Sequence, residues 1–362
     1  RRPIAPLVLL MNGDRTISEL RAAIALRSGL TLTNQQLHGI ITQLDQALMI
    51  ENGAYVQASQ RALDSYRAAP YREPSHAGLV YPEQPDALAQ TVADYCDSVD
   101  PPSERSIGGR LVGMVCPHID YSRGYRTYAS LWRAAAPDLE SIELVIVFGT
   151  DHTGGQGEIT LPRQPYATPY GVLPNDTQIV ERLAAELGAE TAYAQEMNHA
   201  SEHSIELATV WLHHFTRQWA IPMVPILCGP LDPSSIEPAV REPSQGIEGV
   251  LQVLEQIISQ RNTLIIASGD MAHVGPAFGD PRPLDAVARA RLAAADQRSI
   301  EAILAADPAG FRDVSREEDD DRRLCGLPPI YLMLRLLQGD RGQSFGYDQC
   351  PADDQNGSVV VT

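Results

Sequence analysis

The sequence predicts an α/β fold: a mixed central sheet flanked by helices, preceded by a small winged-helix-like N-terminal module. Three observations predict it. From about residue 110 onward, apolar runs of strand length alternate with longer runs of helical period. The shorter runs are almost continuously apolar, as strands buried on both faces are. The chemistry-bearing residues fall just after those runs, where open α/β sheets bind their ligands.

Residues 1–58 read as the winged-helix-like module. "DRTISELRAAIALRSG" has a capping start at Thr16 or Ser18, apolar residues at 17, 20, 24 and 26, and a stop at Gly29. "TNQQLHGIITQLDQALMI" repeats the pattern with apolar residues at 37, 40, 41, 44, 47 and 48. "ENGAYVQA" reads as a hairpin turn around Asn52-Gly53. Up to residue 58 the module carries five Arg, no Lys and four acids, a net of about +1. That is too little charge for a DNA reader, so a docking or packing role is expected.

Residues 59–108 read as a polar, Pro-containing linker with a helix near 85–97. The main domain, 109–362, has strand-like runs at 111–116, 143–149, 221–227 and 263–268, with a closing strand at 358–362. Helical patterns lie near 124–135, 175–187, 203–219, 247–260, 283–305 and 325–338. The charge run "SREEDDDRR" at 315–323 reads as a solvated loop.

Composition narrows the function. A net charge of −18 argues against broad nucleic-acid binding, which needs clustered Lys and Arg. No stretch approaches ~18 consecutive apolar residues, so no membrane span is expected. The N-terminus is charged and then apolar but lacks a small-residue cleavage site, so no signal peptide is expected. The five cysteines are scattered and form no CxxC pair, which suggests free thiols in a reducing cytoplasm.

The candidate site is a matter of position. His118 comes two residues after the first strand and His152 three after the second. Asp270 and His273 follow the fourth, in "ASGDMAHVG". His203 opens one helical pattern and Cys325 another. A lone His after a strand is commonly a bonded loop residue, and Asp270 with His273 suits a helix cap. Equivalent placement after three strands favours a shared site. Imidazole, carboxylate and thiolate are the main protein metal ligands, so the chemistry suggested is metal binding, with a redox metal favoured by a thiolate. Cys325 is the best thiol, because a helix N-terminus lowers a thiol pKa. Cys228 is a second candidate, Cys116 reads as core, and Cys96 and Cys350 as structural. Asp120 and Tyr121 read as residues that orient His118 or line the pocket. "HTGGQG" at 152–157 matches no nucleotide fingerprint, and no GxSxG or HExxH is present.

Six motifs occur in one order: "PHIDYSRG", "FGTDH", "TPYG" (168–171), "EHSIE" (202–206), "SGDMAH" and "LCG" (324–326). The set resembles the Memo family, called AmmeMemoRadiSam system protein B in prokaryotes, over roughly residues 108–362. That family is similar in fold to the class III extradiol dioxygenases, which use non-haem iron. The resemblance implies a metal rim of His118, His152 and Cys325, with Asp270 and His273 beside it and His203 in the same pocket. The dioxygenases have Glu where Cys325 matches, which argues against catechol cleavage. The resemblance also implies iron or copper as cofactor, a small-molecule or peptide ligand in the strand-end cleft, and radical-SAM and AMMECR-type partners. Three functions are therefore expected in turn: a metal-dependent oxidoreductase, with Asp270 or His273 as ligand or general base; a non-catalytic metal carrier or peptide-binding scaffold; and nucleophilic catalysis by Cys325.

Overall fold

The computed structural model describes residues 5–101, 108–153, 159–229 and 246–362. It divides into two units, Arg1–Ala68 and Ala69–Thr362. Among the described residues no helix is long and apolar enough to cross a membrane.

The first unit is helical, with helices at Ala5–Val8, Ile17–Ser28, Asn34–Gln46 and Gly53–Ala68. Capping boxes start the middle two: Thr16 exchanges bonds with Glu19, and Thr33 with Gln36. Their inner faces bury Leu20, Ile24 and Leu37 with Leu7 and Leu10. The expected hairpin is not formed, and the first unit has no strand among its described residues. A type I′ turn needs positive φ at both Asn52 and Gly53, and neither has it. Asn52 instead accepts through Oδ1 from the N–H groups of Ala54 and Tyr55, at 2.9 and 3.1 Å, and so caps a helix.

In the second unit the strands are β1 (Gly113–Cys116), β2 (Leu144–Thr150), β3 (Ile159–Thr160), β4 (Tyr166–Thr168), β5 (Gly171–Leu173), β6 (Met223–Cys228), β7 (Thr263–Ser268), β8 (His273–Val274), β9 (Gln349–Pro351) and β10 (Val359–Val361). The central sheet runs β1-β7-β2-β6-β3. Its first four members are parallel, and β3 lies antiparallel to β6. The parallel strands therefore end on one side. The expected closing strand exists as β10 but joins a separate sheet between β8 and β9.

All of β2, β6 and β7 is buried. Side chains on β2 alternate between two cores, as the pleat requires. Leu144, Ile146 and Phe148 join one cluster with the helices Thr177–Leu187, Ile247–Gln260 and Leu327–Leu336. Val145 and Val147 join the other with the helices Tyr121–Leu139 and His203–Phe215.

Two expectations about polar segments change. Part of the stretch read as linker is built into the core, because the buried Arg72 donates to the carbonyls of His199 (2.8 Å) and Glu202 (2.9 Å) and pairs with the buried Glu206. The charge run at 315–323 is not wholly solvated. Ser315 and Arg322 are buried, and Arg322 bonds Asp296 (2.6 Å), Glu318 (2.6 Å) and Ser299 (2.9 Å).

His199 supplies a stability test outside the rim. It is buried, with Nε2 3.0 Å from the Thr160 carbonyl and Nδ1 2.6 Å from the Tyr166 hydroxyl. A carbonyl only accepts, so Nε2 carries the proton and Nδ1 accepts from Tyr166. Burial pushes its pKa down from 6.5 to about 4. Between those values the unfolded chain binds the proton and the fold does not, so stability rises with pH. Acidification from pH 6.5 to 4 should cost up to about 3 kcal/mol at this residue. Thermal melts of His199→Gln should be less steep in pH over that window than those of the wild type; identical slopes would contradict this account.

Candidate metal centre

Three chain segments converge where the parallel strands end. Beyond β1, His118 is buried, with Nδ1 3.2 Å from the carbonyl of Ser268 at the end of β7. The carbonyl can only accept, so Nδ1 bears the proton and Nε2 presents a lone pair. That Nε2 lies 3.1 Å from Cys325 Sγ and 3.8 Å from Asp270 Oδ2.

Beyond β2, His152 is held twice by Glu202. Its backbone N–H donates to Oε2 and its Nδ1 to Oε1, both at 2.9 Å. The second bond again leaves Nε2 as the free lone pair. Glu202 also caps the helix His203–Phe215, accepting from Ser204 N–H at 2.9 Å.

Cys325 arrives on a close backbone crossing. Gly326 N–H donates to the Asp270 carbonyl at 3.0 Å, and Thr150 Oγ1 to the Cys325 carbonyl at 2.8 Å. A Cβ on Gly269 would overlap the Cα of Gly326, so this approach requires glycine. One donor atom from each of His118, His152 and Cys325 lies within 4.8 Å of the others.

A profile described as "Memo-like protein" matches residues 72–361. This chain belongs to that family. Relatives called "MEMO1 family protein" include one from Aquifex aeolicus, 27% identical over 355 residues (96% of this chain and 88% of the relative). One from Methanosarcina barkeri is 28% identical over 282 residues (76% and 91%). One from Thermococcus onnurineus is 29% identical over 215 residues (58% and 67%). The match begins at Arg72, well before the first motif legible in the sequence.

The other site residues of this Memo-like chain take distinct places. His203 stacks on His152 at 4.5 Å between ring centroids and meets His118 edge-on at 5.1 Å. Its Nδ1 is 3.2 Å from Glu202 Oε1. His152, Glu202 and His203 thus also form a compact group, but Glu202 Oε1 already lies within 3.2 Å of both Nδ1 atoms, so the trio is a hydrogen-bond cluster first. Asp270 is buried beside His118. His273 lies on β8, with its Nδ1 3.2 Å from the Arg323 carbonyl and its ring edge-on to Phe278; it neither bonds to nor stacks on His118, His152 or Cys325.

Burial sets most of the protonation states. It drives His118 well below the usual imidazole range, with the nearby His203 adding to the effect. It takes His203 and His273 down to about 4 and Asp270 up to about 7. Burial would also raise Glu202, but the bonds from His152 and the neighbouring imidazoles outweigh it and hold the carboxyl well below its normal value. Cys325 is pushed well above a free thiol by burial and the Asp270 charge. This reverses the expectation of a helix-activated thiol. Cys325 lies two residues before the helix Leu327–Leu336, and desolvation prevails.

Other expectations are corrected. Cys228, the second thiol candidate, is packed in the core, whereas Cys116 is core as expected. Asp120 is the N-cap of the helix Tyr121–Leu139, accepting from Arg123 N–H at 3.2 Å, and Tyr121 is a core residue whose hydroxyl donates to the Leu207 carbonyl at 2.7 Å. Neither bonds to His118. Most of "HTGGQG" lies outside the described residues.

Sequence reasoning missed two groups. Glu202 stood inside "EHSIE" but reads locally as a cap. His76 lies in the supposed linker; its ring is 5.8 Å from His203, and its Nδ1 is 3.0 Å from Glu206, which also binds Arg72 and Tyr81. The run "YREPSH" gave no local signal, because Arg72 and Glu73 balance in charge and a polar, Pro-containing stretch reads as a connector.

Two outcomes follow from the geometry. Glu202→Gln should keep the fold and weaken divalent-metal affinity by roughly 10–100-fold in competition titrations, because His152 loses its carboxylate partner. Metal uptake should release about one proton above pH 7, from Cys325, and up to about two below it, where Asp270 is also protonated. Affinity should therefore rise with pH. Isothermal titration in buffers of different ionisation enthalpy measures the release, and a pH-independent affinity would contradict the assignment.

Proposed function

We propose that this Memo-family chain is a metal-dependent oxidoreductase that holds iron or copper through His118 Nε2, His152 Nε2 and Cys325 Sγ. The observation that carries the reading is the pair of imidazoles whose outer nitrogens are committed to the Ser268 carbonyl and the Glu202 carboxylate. Both inner lone pairs are left to face one thiol within 4.8 Å. A set of two imidazoles and one sulfur suits borderline and soft transition metals, and it leaves coordination positions open. When bound, such a metal supplies electron transfer and Lewis acidity at those positions.

The chain's own residues supply the rest. Glu202 fixes the tautomer and angle of His152. Asp270, 3.8 Å from His118 Nε2 with a pKa near 7, accepts or returns a proton close to neutrality. Neutral His203, stacked on His152 and partly exposed, lines the cleft and offers hydrogen bonding to a ligand. His273 is the further candidate base. The ligand is a small molecule or peptide entering at the strand ends. The wider reading places the protein in the cytoplasm within an AmmeMemoRadiSam system, alongside radical-SAM and AMMECR-type partners.

A metal carrier or scaffold is the second reading. It is favoured by the absence of any complete hydrolase or transferase motif in the sequence. Metal analysis of protein purified without chelator separates the two. The oxidoreductase reading expects about one iron or copper per chain, lost in His118→Ala and in Cys325→Ala, with redox cycling by mild reductant and dioxygen. Protein that loads neither metal, or that holds zinc alone and is inert to both reagents, would sink it.

A further inference from the structure

A cavity of about 700 Å³ lies along the free edge of β1, with Pro117, Gly269 and Met271, the chain neighbours of His118 and Asp270, in its lining. Its size is that of a ligand site. None of His118, His152, His203 or Cys325 lines it. Its apolar wall includes Leu131 of the helix Tyr121–Leu139, Ile300 and Ile303 of the helix Ala286–Leu304, Met333 of the helix Leu327–Leu336, and Leu337. The residues from Gly339 to Tyr347 also line it and form no strand.

The backbone of β1 is the informative part. The Val112 carbonyl accepts from Ile265 N–H and the Cys116 carbonyl from Gly269 N–H, both at 2.9 Å. In a parallel ladder, alternate residues face opposite sides. Residues 112, 114 and 116 therefore face β7, and Gly113 and Val115 turn their N–H and C=O groups outward. Both line the cavity. No strand pairs with that side of β1, and neither residue has another hydrogen-bond partner among the described residues.

Such an edge narrows the choice of ligand. A purely apolar molecule would fill the walls and leave two donors and two acceptors unpaired at strand spacing. An extended peptide meets all four and sends alternate side chains into the walls. Charge points the same way. Arg110 and Arg341 line the cavity with one acid, Asp340, and neither Arg has an ion pair among the described residues, in a chain whose net charge is −18.

We propose that this cavity is a strand-addition site for an extended segment of a partner protein. The segment pairs with Gly113 and Val115, seats apolar side chains against Leu131, Ile303 and Met333, and sets an acidic residue against Arg110 and Arg341.

The probes are two fluorescein-labelled hexapeptide pools with Val, Ile, Phe or Thr at alternate positions, one closed by Glu and the other by Lys. Binding is read by anisotropy and by residue-resolved amide exchange of the whole chain. The Glu-closed pool should bind with Kd below about 100 μM and roughly tenfold tighter than the Lys-closed pool. Binding should slow exchange at the Gly113 and Val115 amides. Val115→Pro removes an outward donor and no ladder bond, so it should weaken binding about tenfold or more. Arg341→Glu, an exposed change, should reverse the preference between pools even if the proline variant fails to fold. The proposal is overturned by no binding at millimolar peptide, by protection elsewhere than at the two amides, or by a preference indifferent to Arg341→Glu. It is also overturned if dodecanoate occupies the cavity and peptides do not, or if the two amides are already protected by a second copy of the chain.

Discussion

Glu202 accepts hydrogen bonds from the backbone N–H groups of His152 and Ser204 and from the His152 imidazole, and its Oε1 lies against His203 Nδ1. One buried carboxylate thereby joins the loop after β2 to the first turn of the helix His203–Phe215. That helix is buried from Ser204 to His213, so its register against the sheet is set by packing on every side. The carboxylate turns that register into an orientation for His152. Arg72 extends the same linkage outward, through the carbonyls of His199 and Glu202 and the ion pair with Glu206. Removing one member of a buried ion pair leaves the other charge uncompensated, which typically costs about 3–5 kcal/mol. The rim is rigid because its supports are costly to leave half-made.

The second constraint is steric. Cys325 can approach His118 only because the chain after β7 and the start of the last helix touch backbone to backbone at Gly269 and Gly326. The same crossing supplies the Gly326 N–H bond to the Asp270 carbonyl. Position and hydrogen bonding are thus satisfied by one contact, and the thiol needs no side-chain support of its own.

Much of this was legible one element at a time. Buried parallel strands leave continuous apolar runs, so β1, β2, β6 and β7 could be read within a few residues. Placement after strand ends picked out His118, His152 and Asp270, because position along a parallel strand implies a side of the sheet. What failed were features that depend on partners distant in sequence. Strand order is one, since β7 inserts between β1 and β2. Glu202 is another: its cap is local, but its bond to His152 spans fifty residues of chain. At Asn52-Gly53 the sequence pattern was ambiguous, because Asn serves a turn and a helix cap equally well, and the helical continuation to Ala68 decided it. Arg322 in the acidic run likewise reads as surface until Asp296 and Ser299, from an earlier helix, close around it.

Charge balance gives a reason for a half-buried thiol and a buried carboxyl to sit together at the rim. With no cation, the thiol keeps its proton, His118 and His203 are neutral, and Asp270 is near half-ionised at neutral pH. The low charge suits a desolvated pocket. A divalent cation placed there reverses the preference, because its field favours the thiolate and the carboxylate. Two imidazoles alone would leave both positive charges uncompensated. A thiolate at Cys325 and a fully ionised Asp270 would together cancel them. Glu202 could not serve that purpose, since its charge is already shared among two backbone amides and two imidazoles. The division of labour is therefore electrostatic as well as geometric: Glu202 stays charged and orients, while Cys325 and Asp270 are the groups whose charge a bound cation would change.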